Sequence, residues 1–177
     1  NLVGGKIKNK LQFLELFGSK LRGLQLLVYK QAIQNLVDKD PSLDIDVRGE
    51  MNPILDNISL TQITDMTYPS DKDNIVKQLN EGDIGVDEFY GERGLRNCMN
   101  KRGSRYTYKK KILDKYGPIF DKDNLSDYSS KLSSIINIID ETEGIIFIYT
   151  SYVNAGIIPL QLTLEQYGYK KHRGDNS

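Results

Sequence analysis

The clearest pattern of hydrophobic and polar positions lies in the last third of the chain. Residues 129–139 carry apolar side chains at three- and four-residue intervals, which predicts an amphipathic helix. Residues 145–149 are all apolar or aromatic and mostly β-branched, as in a strand buried within a parallel sheet. A further helix is expected to follow, with Pro159 in its first turn and Gly168 just past its end. Helix, buried strand and helix predict the beginning of an α/β fold.

Upstream, the pattern is weaker. Residues 20–37 show helical spacing, with Ser19 as the expected N-cap and Pro41 just beyond the end. A short strand is expected at residues 12–17. Further short helices are expected after Pro53 and at residues 74–79, 86–90 and 108–116, the last ended by Gly117-Pro118.

The predicted core of the last third consists of apolar side chains on the two helices and the strand. Tyr149 and Tyr152 are expected to pack while keeping their hydroxyl groups in water. The other core positions are Ile135, Ile139, Phe147, Ile157 and Leu164.

Composition modifies this picture. Only 38% of the 177 residues are hydrophobic, which is below the usual share and suggests one core with long polar connections. The net charge is zero, but the charges are segregated. Residues 38–92 hold fourteen acidic and four basic side chains, a net charge of −10, whereas residues 93–115 hold nine basic side chains and one acidic one, a net charge of +8.

The basic stretch has two open interpretations. Its cations can neutralise phosphates and its interleaved tyrosines, Tyr106 and Tyr108, can stack on unpaired bases. Alternatively, it is a solvated loop that balances the acidic stretch before it. The nine cations are Arg93, Arg96, Lys101, Arg102, Arg105, Lys109, Lys110, Lys111 and Lys115.

Several kinds of chemistry are disfavoured. Cys98 is the single cysteine, so no internal disulfide can form and a reducing compartment is expected. With one histidine, His172, a closed zinc site is not expected. There is no apolar run near 20 residues, so a soluble chain with no membrane partner is expected. The terminal residues suggest a piece cut from a longer protein.

Two motifs fail on inspection. Gly4-Gly5-Lys6 lacks the spacing of a phosphate-binding loop, and Ile7 stands where Ser or Thr should bind magnesium. Asp87-Glu88 is not preceded by an apolar strand, so an exposed acidic turn is favoured over a metal motif. We therefore assign no catalytic residue and no metal ligand to this chain.

A resemblance decides the functional hypothesis. The stretches that carry it are residues 129–131 (SSK), 144–152 (GIIFIYTSY), 156–160 (GIIPL) and 164–169 (LEQYGY). They resemble superfamily 2 helicases of nucleocytoplasmic large DNA viruses, a group related to the poxvirus early-transcription ATPases and more distantly to Swi/Snf-type remodellers. Less specific upstream stretches, at residues 24–30, 62–69 and 89–95, resemble the end of the first motor lobe and the connector of the same group.

The resemblance implies an internal piece of a viral ATP-driven helicase or translocase. It implies an α/β fold class, with an incomplete RecA-like, parallel-sheet C-terminal helicase lobe preceded by a mostly helical or irregular connector. Residues 1–37 would end the first lobe, residues 38–125 form the acidic and then basic connector, and residues 126–177 open the second lobe. ATP and Mg²⁺ would bind the full-length parent and not this fragment, because the family's ATP-binding loop, acidic magnesium motif and arginine motifs are absent here.

The same resemblance implies partners and a location. The partners are the DNA or RNA backbone, the rest of the same helicase chain and the viral transcription machinery. The expected location is the virion or the host cell cytoplasm.

The candidate nucleic-acid-binding residues come from three places. Thr150, which replaces the family's usual Ser, and Ser151 would donate hydroxyl hydrogen bonds to a phosphate, or else cap the following helix. Lys131 would contact a phosphate or an acidic partner, or remain a solvated helix residue, and Gln25 is either an inter-lobe contact or a polar position on a helix surface. The basic stretch contributes Arg102, Arg105, Lys109, Lys110 and Lys111.

Two other classes of function compete with the motor hypothesis. One is a non-catalytic nucleic-acid-binding transcription-factor subunit with a degenerate helicase lobe. The other is a protein-interaction scaffold whose acidic stretch binds a basic partner. Only the nucleic-acid hypotheses predict that charge reversal at residues 109–111 abolishes DNA or RNA binding.

Overall fold

The structure, a computed structural model, describes residues 17–40 and 58–171. The predicted strand at residues 12–17, apart from Phe17, lies outside the described residues, as do Gly4-Gly5-Lys6, His172 and the positions just after Pro53. None of the helices in the two described ranges is long and apolar enough to cross a membrane.

Most of the described chain is helical. Short connections join the helices, and a single hairpin interrupts them. In chain order the elements are α1 (Gly23–Lys39), α2 (Ile58–Asp65), α3 (Ile75–Asn80), a 3-10 turn (Val86–Phe89), α4 (Gly91–Cys98), β1 (Met99–Arg102), β2 (Arg105–Tyr108), α5 (Lys110–Tyr116), α6 (Lys122–Tyr128), α7 (Ser130–Glu141), a π-helical turn (Val153–Ile157) and α8 (Ile158–Gln166).

The fold class predicted from the sequence is wrong. Within residues 17–40 and 58–171 the sheet consists of two antiparallel strands, β1 and β2, and no parallel sheet of a RecA-like lobe is formed. The segment predicted as its buried strand, residues 145–149, has no regular secondary structure. A strand is stable only when a neighbouring strand pairs with its backbone, and the described chain places no strand beside this one.

Side-chain exposure in this segment corrects the predicted core. Ile145 is fully exposed, and Phe147 and Tyr149 are 88% and 80% exposed. Ile157, also predicted as core, is 45% exposed. Ile146 is also exposed, whereas Ile148 is partly buried against the main core.

The helix predictions on either side of this segment are confirmed. Ser129 caps α7, because its hydroxyl oxygen accepts a hydrogen bond from the backbone N–H of Leu132 at 3.0 Å. The same hydroxyl donates to the carbonyl oxygen of Asp65 at 2.6 Å and so ties α7 to α2. Pro159 lies in the first turn of α8, and Gly168 follows its end at a φ of +89°.

The remaining core predictions are confirmed in part. Ile139 is buried, and Ile135 and Leu164 are partly buried against the main core. This main core joins helices α4 to α8 and contains the following buried side chains: Met66, Tyr68, Leu95, Cys98, Met99, Ile112, Ile119, Phe120, Leu125, Tyr128, Leu132, Ile136, Ile139 and Leu160. A second core, between α1, α2, α3 and the 3-10 turn, contains Val28, Ala32, Leu60, Ile63, Leu79, Ile84 and Phe89.

A buried glutamine joins three helices around these cores. Gln25 of α1 has no exposed surface, although the sequence predicted a position on a helix surface or between lobes. Its amide N–H groups donate to the carbonyl oxygens of Ile63 and Thr64 at 2.9 and 3.1 Å. Its amide oxygen accepts from the backbone N–H and the hydroxyl of Ser130 at 3.0 and 3.2 Å. Gln25 therefore satisfies polar groups of α2 and α7 that burial would otherwise leave without partners.

Helix α1 begins later than predicted. Arg22, and not Ser19, precedes its first residue, and no side chain caps it. Ser19 lies instead with its hydroxyl 3.5 Å from that of Ser130. The predicted short helices at residues 74–79 and 108–116 are confirmed, with bounds shifted by one or two residues, and the short helix predicted at residues 86–90 is the 3-10 turn Val86–Phe89.

The main core contains groups that resist ionisation. Burial raises the pKa of Cys98 from 9.0 to about 12, with Lys109 opposing the shift. Burial, together with Tyr116 and Asp127, raises the pKa of Tyr128 to about 12 as well. Both groups are held neutral in the folded state more strongly than in the unfolded chain.

This arrangement predicts unfolding at alkaline pH. Because the folded-state pKa values lie above the unfolded ones, the stabilisation is complete below pH 9 and is lost as the pH rises towards 12. Urea unfolding at pH 8, 10 and 11 should therefore show a falling free energy of unfolding. At pH 8 the Cys98 thiol should react with an aromatic disulfide reagent only as fast as the protein unfolds, and rapid reaction of the folded protein would contradict the assignment.

Candidate nucleic-acid interface

The basic stretch folds around a β-hairpin that the sequence had not predicted. Strands β1 and β2 pair antiparallel with Met99 opposite Tyr108 and Arg102 opposite Arg105. Gly103 and Ser104 form the turn, with Gly103 at a φ of +61°, as expected for glycine in the first central position of a tight hairpin turn. We call β1, this turn and β2 the basic hairpin.

One face of the basic hairpin packs on the protein. Tyr108 stacks at a tilt on Phe120 with ring centroids 6.0 Å apart, and its hydroxyl oxygen accepts a hydrogen bond from the Phe120 N–H at 3.2 Å. Tyr106 packs against the main core, and the Lys101 ammonium lies 5.5 Å from its ring centroid. The two tyrosines predicted to stack on unpaired bases are therefore occupied by contacts within the protein.

The opposite face of the basic hairpin is open to solvent. Side chains alternate across a strand, so the residues between those of the packed face point outwards. All four are exposed, and we call them the solvent face: Asn100, Arg102, Arg105 and Thr107.

Ion pairs divide the basic stretch into two groups. Some of its cations are paired with carboxylates of the preceding acidic stretch or of their own helix, which agrees in part with the interpretation as a balancing loop. These pairs are Arg93 with Asp87 and Glu88, Lys110 with Asp114 at 2.6 Å, Lys111 with Asp71 at 3.7 Å and Lys115 with Asp73 at 3.2 Å.

The second group has no carboxylate within 4.0 Å among the residues that the structure describes. It comprises the cations of the basic hairpin, one residue of α4 and the residue that follows β2. These cations are Arg96, Lys101, Arg102, Arg105 and Lys109. Of the five candidates that the sequence placed in this stretch, the structure leaves Arg102, Arg105 and Lys109 available for a phosphate and pairs Lys110 and Lys111 with carboxylates.

The remaining candidates line a separate cavity of about 240 Å³. Lys131 of α7 forms an ion pair with Asp65 of α2, whose side chain is only 12% exposed. Thr150 and Ser151 line the same cavity as this ion pair. The structure thus brings Lys131, Thr150 and Ser151 together, but the Asp65 carboxylate compensates the single positive charge.

Thr150 packs against the π-helical turn. A Cβ atom added to Gly156 would lie 2.0 Å from the Thr150 hydroxyl oxygen, so glycine is required for this contact. The Thr150 hydroxyl lies 3.5 Å from the Tyr152 N–H, at the long limit for a hydrogen bond, and no side chain caps the π-helical turn or α8. Among the described residues, Thr150 therefore does not cap the following helix, and Lys131 is the one cation that lines its cavity.

Comparisons with known proteins found no matching protein-family model, curated protein or solved structure. The candidate interface therefore rests on its own geometry and charge. Within the described part of the chain, no group of three or more His, Cys, Asp or Glu side chains is placed to hold a metal ion.

Proposed function

We propose that this chain is a nucleic-acid-binding part of a viral ATP-driven helicase or translocase, and that the basic hairpin contacts the sugar–phosphate backbone. The observation that carries the contact is the set of five cations without carboxylate partners among the described residues, concentrated on and beside the hairpin. When Lys and Arg side chains neutralise phosphates, the cations condensed on the nucleic acid are released, which makes binding favourable and salt-dependent.

The motor part of the proposal draws on the sequence resemblance at residues 129–131, 144–152, 156–160 and 164–169 alone, since the described residues form no parallel sheet. ATP and Mg²⁺ would be bound by other parts of the parent chain, and the viral transcription machinery would be a partner of that parent. The present chain would supply backbone contacts that tolerate any sequence, as a motor moving along DNA or RNA requires.

The scaffold alternative loses part of its basis. Its proposed surface, the acidic stretch, already uses several of its carboxylates internally, since Asp71, Asp73 and Asp87 pair with cations of the basic stretch. A basic protein partner would have to displace these contacts. The hairpin cations Lys101, Arg102 and Arg105 have no carboxylate partner to be displaced among the described residues. This favours an anionic ligand at the hairpin over a basic partner at the acidic stretch.

Neutralising the hairpin tests the proposal. The triple substitution Lys101→Gln, Arg102→Gln and Arg105→Gln is expected to weaken binding to a fluorescein-labelled oligonucleotide at least about tenfold at 0.1 M salt. The slope of log affinity against log salt should fall by about 2, since each lost phosphate contact removes about 0.7 on a single strand. Fluorescence anisotropy across a salt series measures both quantities.

A matched triple variant controls for net charge. Lys30→Gln, Lys77→Gln and Lys122→Gln remove the same charge from exposed positions on α1, α3 and α6. This variant should retain most of the affinity and the salt slope. If both triple variants lose affinity equally, binding reflects net charge alone and the hairpin is not the interface. If the unmodified chain binds neither DNA nor RNA, the proposed function is wrong.

A further inference from the structure

The solvent face of the basic hairpin contains an unfavourable pair of like charges. Arg102 and Arg105 stand directly opposite each other in the β-ladder, where Cβ atoms lie about 4.5–5.5 Å apart and like charges are destabilising. Both side chains are exposed, and no carboxylate lies within 4.0 Å of either in the described residues. We call Arg102 and Arg105 the arginine pair. An anion placed between the two guanidinium groups would convert this repulsion into attraction.

The chemistry of the pair favours one anion in particular. A guanidinium group presents N–H donors in a planar fork that matches two oxygens of a phosphate. The neighbouring positions on the same face are Asn100 and Thr107, which also oppose each other. Their amide and hydroxyl groups can donate to phosphate oxygens, and they lie about 7 Å from the arginine pair along the strands, at two residues of about 3.4 Å each.

The same face offers no platform for unpaired bases. The aromatic side chains of the hairpin, Tyr106 and Tyr108, lie on the packed face, against the main core and Phe120. Base stacking on aromatic rings is what gives many single-strand binders their contact with bases. A face with two arginines, an amide and a hydroxyl instead contacts the backbone, which single strands and duplexes both expose. A two-stranded ribbon is also narrow enough to approach the major groove of a duplex.

We infer that the arginine pair binds a backbone phosphate between its two guanidinium groups, and that the hairpin therefore binds duplex and single-stranded nucleic acid alike. This inference rests on the proposed function and specifies its ligand: the phosphodiester group and not the base. Asn100 and Thr107 supply the second set of contacts, to a neighbouring phosphate of the same strand.

The test replaces the two planar guanidinium groups by ammonium groups without changing the net charge. Arg102→Lys together with Arg105→Lys is expected to weaken binding about tenfold to a fluorescein-labelled single strand and to its duplex equally, because ammonium groups do not form the paired N–H contacts. Arg22→Lys, at an exposed position before α1, is the matched control and should bind like the unmodified chain. Thermal melting of the variants confirms that the fold is retained.

The possible outcomes separate the two proposals. If the unmodified chain binds and the double lysine variant binds equally well, only charge matters and the arginine-pair inference is overturned while the proposed function stands. A strong preference for the single strand that disappears in Tyr106→Leu would show base stacking and also overturn the inference. Absence of binding by the unmodified chain overturns the proposed function, and the inference with it.

Discussion

Replacing Gln25 by leucine is expected to lower the free energy of unfolding by about 2–4 kcal/mol, because each buried polar group left without a partner costs about 1–3 kcal/mol. Leucine keeps roughly the same volume, so the change isolates the hydrogen bonds from packing. The groups affected are the carbonyl oxygens of Ile63 and Thr64 and the backbone N–H and hydroxyl of Ser130. Two of these groups keep a second partner: the Thr67 hydroxyl donates to the Ile63 carbonyl oxygen at 3.1 Å, and the Ser130 hydroxyl lies 3.5 Å from that of Ser19.

Urea unfolding followed by circular dichroism measures this loss. Gln34→Leu is the matched control, since Gln34 lies on the exposed face of the same helix and its amide donates to the Asp38 carboxylate one turn on. The control should change the free energy of unfolding by no more than about 0.5 kcal/mol. Equal effects of the two substitutions would mean that Gln25 does not join α1 to α2 and α7.

Replacing Gly94 by alanine is expected to destabilise the protein by about 1–3 kcal/mol through overpacking. This is the opposite of the usual result in a helix, where alanine is more stable than glycine by about 0.5–1 kcal/mol. The reason is the space beside α4: an added Cβ atom would lie 2.7 Å from the carbonyl carbon of Phe89 and 2.9 Å from a ring carbon of Tyr68. The Phe89 backbone cannot move without disturbing the Tyr68 N–H, which donates to the Phe89 oxygen at 2.7 Å.

A second glycine provides the comparison. A Cβ atom added to Gly18 would meet no atom within 4 Å, so Gly18→Ala should leave the melting temperature nearly unchanged. Thermal unfolding of both variants, followed by circular dichroism, tests the packing directly. A melting temperature for Gly94→Ala equal to or above that of the unmodified chain would show that α4 and the 3-10 turn are not packed as described.

The hairpin shows where a local signal existed and was missed. Gly103-Ser104 separates two short runs, MNKR and RYTY, and a two-residue loop with glycine first is a recognised hairpin signal. The strands are only four residues long, and charged or polar residues fill five of their eight positions. Hydrophobic alternation is weak in such a segment, which is why its sequence predicts a basic loop and not two paired strands.

The candidate interface was predicted in composition but not in arrangement. The segregation of charge at residues 93–115 is visible in the sequence, and it did locate the open cations. The charge pattern could not show that Lys110 and Lys111 form ion pairs with Asp114 and Asp71. Nor could it show that Arg102 and Arg105 have no carboxylate within 4.0 Å in the described residues. The pairing with Asp71 depends on segments about forty residues apart, and its geometry is decided only when the main core has formed.

Local sequence by itself determined helices α7 and α8. Apolar spacing, the Ser129 cap, Pro159 and Gly168 act within one or two helical turns, so they specify these helices without help from distant segments. Only the tertiary structure decided that residues 145–149 remain unpaired among the described elements and that the hairpin tyrosines face inwards. Burial and strand pairing depend on which segments become neighbours, and that depends on how the whole chain packs, not on any one segment of it.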